Sequence, residues 1–270
     1  MKRQAFALPF ILCLIASTVI PMMMVAYYGF TDRSGSFTMA NILSVFQPVH
    51  LKALGLALGL SLISTVVCLL LAFPLALILR DSHLGRRGFI VFIFILPMWM
   101  NFMLRTMAWQ VILERDGIVD SLLNFIHLPH AQIINTPAAI VLGMVYDFLP
   151  FMVLPIYNSL MKIDDSLIEA ARDLGASSRK VISSVLLPLS VPGIASGITM
   201  VFIPSLTTFV ISNILGGGKI YLIGNIIEQE FTTSANWNLG SGISLVMMLF
   251  ILGSMAVLQR LDKSGEAELL

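Results

Sequence analysis

Two ionisable side chains lie deep in apolar surroundings. Asp147 sits in Met-Val-Tyr-Asp-Phe-Leu-Pro-Phe (144–151), and Arg105 in Phe-Met-Leu-Arg-Thr-Met-Ala-Trp (102–109). A charge at the centre of a hydrocarbon layer costs about 2.5–3.5 kcal/mol or more, so such a residue marks a pathway or a charge pair. Asp147 and Arg105 can pair with each other, and Asp147 can also face a passing cation; the two roles are compatible. Tyr146 and Trp99 are neighbouring aromatics whose faces attract cations, although Trp99 also fits an anchor at a membrane surface. Hydrolysis is a poor fit. An aspartyl protease of the membrane needs a second embedded aspartate, and no other apolar segment holds one. The chain has no His-Glu-x-x-His sequence for a metal.

A second cluster is polar. Glu169–Pro188 reads Glu-Ala-Ala-Arg-Asp-Leu-Gly-Ala-Ser-Ser-Arg-Lys-Val-Ile-Ser-Ser-Val-Leu-Leu-Pro, between two strongly apolar segments. Ser166 and Glu169 have the spacing of a capping box, which predicts a helix beginning near Leu167. Gly175 can take the left-handed conformation that ends it. Ala170, Ala171 and Ala176 keep that helix thin enough for another protein to approach. Ser177 or Ser178 can cap a following helix that carries Arg179 and Lys180 towards the next apolar segment.

The elements that position these residues follow from composition. Of 270 residues, 57% are hydrophobic and 11% charged, with a net charge of +1. Soluble domains carry about 25% charged residues, so the chain reads as a polytopic membrane protein with no bulk attraction for nucleic acid. A spanning helix needs about 20 mostly apolar residues. Six segments qualify: Phe6–Phe30, Leu51–Leu79, Gly88–Leu113, Ala138–Leu160, Leu189–Leu215 and Ile243–Gln259. Their unbroken apolarity excludes the alternation of barrel strands. The first is too long for a signal-peptide core of about 7–15 residues and reads as an uncleaved helix.

Lys2, Arg3, Arg80, Arg86, Arg87, Lys162, Arg172, Arg179, Lys180, Arg260 and Lys263 fall on one side of this arrangement. Arg33, Lys52, Arg115 and Lys219 fall on the other. The positive-inside rule places both termini and Glu169–Pro188 in the cytoplasm. The fold class expected is an all-α membrane protein with six transmembrane helices and a cytoplasmic helix between the fourth and fifth.

The order Glu-Ala-Ala, Gly175 six residues after Glu169, then Val185, Leu187 and Pro188, resembles the "EAA" loop of permease subunits of ATP-binding-cassette (ABC) importers. Val185 replaces the isoleucine usual in that family. The resemblance implies that Glu169, Ala170, Ala171, Gly175, Leu187 and Pro188 couple the chain to an ATPase. It implies a single transmembrane domain over 1–270, with a core at about 51–259 after a first helix at about 6–30. It also implies a bacterial cytoplasmic (inner) membrane location and several partners: a second homologous permease subunit, two copies of an ABC ATPase and an extracytoplasmic substrate-binding protein. The chain has no Gly-x-x-x-x-Gly-Lys-Ser/Thr phosphate loop, so no cofactor is expected on it; ATP and Mg belong to the ATPase.

Ile95–Leu123 and Phe202–Phe231 resemble the polyamine (spermidine/putrescine) branch of these permeases. In the second segment a Pro-x-x-Thr stretch leads to Leu215-Gly-Gly-Gly218, Lys219 and then Gly224-Asn225. The branches for iron, thiamine and sulfate share parts of this pattern and remain alternatives, and a self-contained secondary transporter is a further one. A polyamine needs carboxylates or aromatic faces for its ammonium groups and apolar walls for its methylenes. Asp147, Tyr146, Trp99 and Arg105 are the candidates within the membrane. Glu228 and Glu230 are the candidates in an outer loop, with Glu114, Asp116 and Asp120 in another; these acids also read as plain solvated charges.

Cys13 and Cys68 lie in apolar runs and read as small core residues. His50, His83, His127 and His130 sit in loops or at span ends and suggest no metal. Pro97, Pro150, Pro155, Pro192 and Pro204 predict kinks. Gly55-x-x-x-Gly59 and Gly193-x-x-x-Gly197 permit close helix contact, within the chain or against a partner.

Overall fold

A computed structural model describes residues 2–82, 96–127, 129 and 132–267, with side chains described over 13–256 of these. Among them the only β-structure is one isolated bridge between Thr31 and Phe37. The helices, in order, are α1 (Lys2–Gly29), α2 (Ala40–Leu43), α3 (Pro48–Asp81), α4 (Phe102–Leu113), α5 (Ile118–Phe125), α6 (Pro137–Met161) and α7 (Asp165–Asp173). They are followed by α8 (Ser178–Thr207), α9 (Val210–Leu215), α10 (Ile223–Thr232) and α11 (Trp237–Ala267).

Among the described residues, four helices are long and apolar enough to cross a membrane: α3, α6, α8 and the Trp237–Ala256 part of α11. Four of the six expected spans thus have a helix over most of their length, although α8 begins well before Leu189 and ends before Leu215. The expected first span coincides with α1, whose described apolar part is Cys13–Gly29. The third, Gly88–Leu113, begins outside the described residues, as do His83, Arg86, Arg87 and His130.

The structure departs from unbroken spans at two points. In the third, a 3-10 turn over Leu96–Trp99 holds Pro97 and precedes α4. Asn101 then starts the helix, its side chain accepting from the amides of Met103 (2.9 Å) and Leu104 (3.4 Å). In the fifth, α8 stops at Thr207. Thr208 is extended, and α9 begins again at Val210. Hydropathy is continuous across both breaks, so composition alone reads through them. At the other end of the chain, α11 is helical to Ala267.

Mutual packing of α3, α6 and α8 makes the centre, with α11 against α8 and α1 against α11. The buried face of α3 is built from small residues, Ala53, Ala57, Ser61, Cys68, Ala72 and Ala76, spaced by whole turns or pairs of turns. Small side chains let helix backbones approach, which is where packing energy comes from when lipid offers no hydrophobic contrast. The α6–α8 contact uses Gly193 and Gly197. A Cβ on Gly193 would lie 2.5 Å from Ser159 Cβ, and one on Gly197 would lie 2.7 Å from Met152 Sδ. Gly55 and Gly59, by contrast, face open space, so only the second glycine pair works inside the subunit. Cys68 is buried as expected, whereas Cys13 is exposed at the surface of the chain.

Each long loop beyond the spans contains a short helix, α5 in one and α10 in the other. The start of α8 has a wide π turn over Ile182–Leu186, in which the Leu187 amide donates to the Ile182 carbonyl. It falls immediately before Pro188. Proline cannot donate and its ring crowds the carbonyl four residues back, and the wider turn accommodates both constraints.

Candidate functional site: a buried ion pair beside two helix breaks

Asp147, at mid-helix in α6, is 1% exposed. Its Oδ1 lies 3.2 Å from Nη2 of Arg105 on α4. Its Oδ2 accepts a hydrogen bond from Thr106 Oγ1 at 3.1 Å. Arg105 is itself buried, and its guanidinium stands 6.0 Å from the centre of the Tyr146 ring. Trp109 meets the same ring edge-on at 5.3 Å. Asn101 starts α4 one turn before Arg105, so the break in the third span sets the position of the cation. The pair anticipated between Arg105 and Asp147 is therefore present.

Beside the pair is a cavity of about 430 Å³. Met98, Phe102 and Arg105 form one wall, Asp147, Phe148 and Phe151 a second, and Pro204 with Thr207–Val210 the third. The third wall is the break in the fifth span. An apolar chamber with one carboxylate, one guanidinium and several rings suits a ligand carrying both methylenes and charge.

The break has its own scaffold. Asn225, 2% exposed, lies in the first turn of α10. Its Nδ2 donates to the Phe209 carbonyl (3.1 Å) and to Asn213 Oδ1 (2.6 Å). Its Oδ1 accepts from Ser212 Oγ (2.6 Å) and from the Leu222 amide (2.9 Å). Gly224 lets α10 approach: a Cβ there would lie 2.7 Å from the Thr207 carbonyl oxygen and 3.1 Å from that of Thr208. The Gly-Asn pair stood out in the sequence as part of the polyamine-branch pattern, but its service to Phe209 was not visible there. The signal was a buried amide type next to a glycine.

Other candidates sit apart from this cavity. Tyr146 does not line it; its ring, beside the Arg105 guanidinium, borders an apolar groove with Trp109, Leu60 and Val141. Trp99 lies in the 3-10 turn, largely exposed, and does not line the cavity. Glu228 Oε1 accepts from Thr232 (3.1 Å) and Glu230 Oε1 from Ser234 (3.3 Å), both one turn on. Asp120 is buried and accepts from the Asp116 amide at 3.1 Å, ordering the turn before α5. Glu114 lines a polar pocket with Arg115 and Asp120.

The polar stretch after α6 folds into α7 and its stop. The cap differs from the capping box expected at Ser166. Asp164 is the N-cap, and its carboxylate accepts from the Ser166 amide at 2.9 Å. That hydrogen bond holds the Asp164 carboxyl below the usual carboxylate range. Gly175 has φ +83°. The Ala176 amide reaches the Ala171 carbonyl (3.0 Å) and the Gly175 amide reaches Arg172 (2.8 Å), which together form a Schellman stop. Ile168 is buried while Glu169 and Ala170 are exposed and Ala171 is half-buried. Leu174 is 90% exposed. A short helix held by few side chains, with Leu167 and Leu174 exposed, has the form of a docking element. Leu187 and Pro188 lie just past the π turn, at the root of α8.

A family model for the binding-protein-dependent transport system inner membrane component matches residues 3–264, and the chain belongs to this family. It is thus a permease component of an ABC importer. Among relatives, the spermidine/putrescine transport system permease protein PotB of Haemophilus influenzae is 35% identical over 258 residues, covering 93% of this chain and 90% of the relative. PotB of Escherichia coli K12 is 33% identical, covering 94% and 97%. In fold, the chain is similar to a bacterial ABC transporter involved in import of the acidic polysaccharide alginate. That match has a TM-score of 0.83 at 18% identity and covers 97% of this chain and 95% of the other.

Proposed function

We propose that this chain imports spermidine or putrescine as one membrane subunit of an ATP-driven transporter of a bacterial inner membrane. The carrying observation is the likeness to spermidine/putrescine permeases over nine-tenths or more of both chains. The chamber beside Asp147 supports it, since it offers one carboxylate among apolar and aromatic walls.

In this reading six helices span the membrane, with both termini and α7 in the cytoplasm. A second homologous permease completes the pathway, and an external binding protein delivers the substrate. ATP hydrolysis takes place on two copies of a separate ATPase. The ATPase receives α7, with Glu169, Ala170 and Ala171 on the docking helix and Gly175 fixing its end. Closure of the ATPase pair displaces α7 and rocks the spans between outward and inward openings. In the chamber, an entering ammonium competes with Arg105 for Asp147. The guanidinium already stands near the Tyr146 ring, so it has an alternative partner when displaced. Exchange of one cation for another keeps the site near neutral, and the substrate is held without being trapped, as passage requires. Glu228, Glu230 and Trp99 stand outside the chamber and attract or orient the cation before it arrives.

The test is uptake of labelled spermidine at low external concentration, with and without this gene, in cells lacking other polyamine importers. Unlabelled putrescine, iron, thiamine and sulfate serve as competitors. Loss of uptake on deletion, with competition by putrescine alone, is expected. Unchanged uptake would overturn the substrate and leave the family membership intact.

A further inference from the structure

The last turn of α3 carries Arg80, 5% exposed. Buried arginines are rare unless every donor is placed, and the contacts of this one span three elements. Its Nε donates to the Leu160 carbonyl at the end of α6 (3.0 Å). Its Nη2 donates to the Ile163 carbonyl just beyond (3.3 Å) and to the Asp165 carboxylate at 2.8 Å. Its Nη1 lies 3.5 Å from Asp81. Asp165 is the first residue of α7. A capping role at α6 alone would need only the two carbonyls. The charged bond to Asp165 adds a direct link from the ends of two spans to the start of the docking element. Ile168 is also buried on α7, and α7 meets the first turn of α8, where Val181 is buried.

We propose that Arg80 is the strut through which displacement of α7 reaches α3 and α6. It is a positioning residue for energy coupling. A planar guanidinium engaging two carbonyls and a carboxylate at once resists both stretching and rotation, which a lysine cannot do. With the strut intact, a shift of α7 carries the ends of both spans. Without it, α7 keeps only its chain connections and the packing of Ile168 and Ala171, and its shift no longer reaches the end of α3 directly. The inference rests on the reading of α7 as the ATPase-docking element.

The test uses the assembled transporter, purified on a tagged copy of this chain and reconstituted in lipid. Cys13 and Cys68 are replaced, and Thr207→Cys on the chamber wall is the reporter. The readout is the change in its maleimide labelling rate when nucleotide is trapped with vanadate, alongside ATP hydrolysis. A change of about fivefold is expected in the otherwise unaltered chain. Asp165→Ala, which leaves Arg80 on both carbonyls, is expected to reduce it below about twofold while hydrolysis and subunit ratio are retained. Arg80→Gln is expected to act alike, and Arg80→Lys to recover part of the response. A full labelling response in Asp165→Ala, with Glu169→Lys losing it, would overturn the strut and leave the docking reading in place. A full response in Glu169→Lys as well would overturn both. Should Arg80→Gln fail to assemble, Asp165→Ala decides alone.

Discussion

Asn225 donates its side-chain amide to the carbonyl of Phe209, two residues past the end of α8 and sixteen positions back along the chain. A buried amide with four partners is costly to truncate, since each polar group left without a partner costs about 1–3 kcal/mol. Asn225→Ala is expected to lower the melting temperature of the purified transporter and to cut uptake at least tenfold. Asn225→Asp keeps the acceptor and loses the donors, and should be nearly as damaging. Unchanged uptake kinetics in both variants would detach the break from transport.

Asp147→Asn tests the embedded pair. Removing one partner of a buried ion pair costs about 3–5 kcal/mol because the other charge is stranded. Uptake is expected to fall sharply while the subunit remains in the membrane. Combining it with Arg105→Gln should restore much of the thermal stability, with no recovery of uptake. Recovery of both together would reduce the pair to a structural role.

Gly175 meets nothing within 4 Å on the side where a Cβ would lie, yet its φ is +83°. A non-glycine residue there costs about 1–2 kcal/mol from backbone conformation alone. Gly175→Asp is expected to abolish uptake through a displaced α7, with normal insertion and abundance. Glu169→Lys, on the exposed face, should do so with no effect on the melting temperature. Loss of insertion in either variant would make the loop a folding element.

The two glycine pairs should respond in opposite ways. Gly193→Ala drives a methyl into Ser159 and the Pro155 carbonyl, and should lower the melting temperature by several degrees. Gly55→Ala meets open space and gains about 1 kcal/mol of helix propensity, so the isolated chain should tolerate it. Comparing the melting temperatures of both variants in detergent checks this directly.

Much of this architecture was legible in the sequence. The membrane helices α3, α6, α8 and α11 follow from apolar length, and the end of α7 from Gly175. The Arg105–Asp147 pair follows from the price of charge in hydrocarbon. The breaks at Asn101 and Thr208 were hidden because Leu96–Leu113 and Leu189–Leu215 stay apolar across them; a backbone turn changes dihedral angles, not hydropathy. The cap of α7 was misassigned because Asp164, Asp165 and Ser166 can all cap. The structure resolves the choice through Arg80, which engages Asp165 and leaves Asp164 to accept from Ser166. Arg80 itself looked like an ordinary positive-inside residue. Its contacts with the end of α6 and the start of α7 belong to the fold and leave no mark on a charge count.

The π turn before Pro188 has a geometric consequence. One residue of an α-helix advances it by about 100°, and the wide turn over Ile182–Leu186 holds an extra residue. The stub bearing Arg179 and Lys180 is therefore offset in phase from the face where Gly193 and Gly197 meet α6. The azimuth of that stub is set by one local irregularity, independently of how the span is seated. Tightening that turn to regular geometry would swing the stub around the helix axis, against the hold of Arg80 on α7, while the glycine contact below stayed in place.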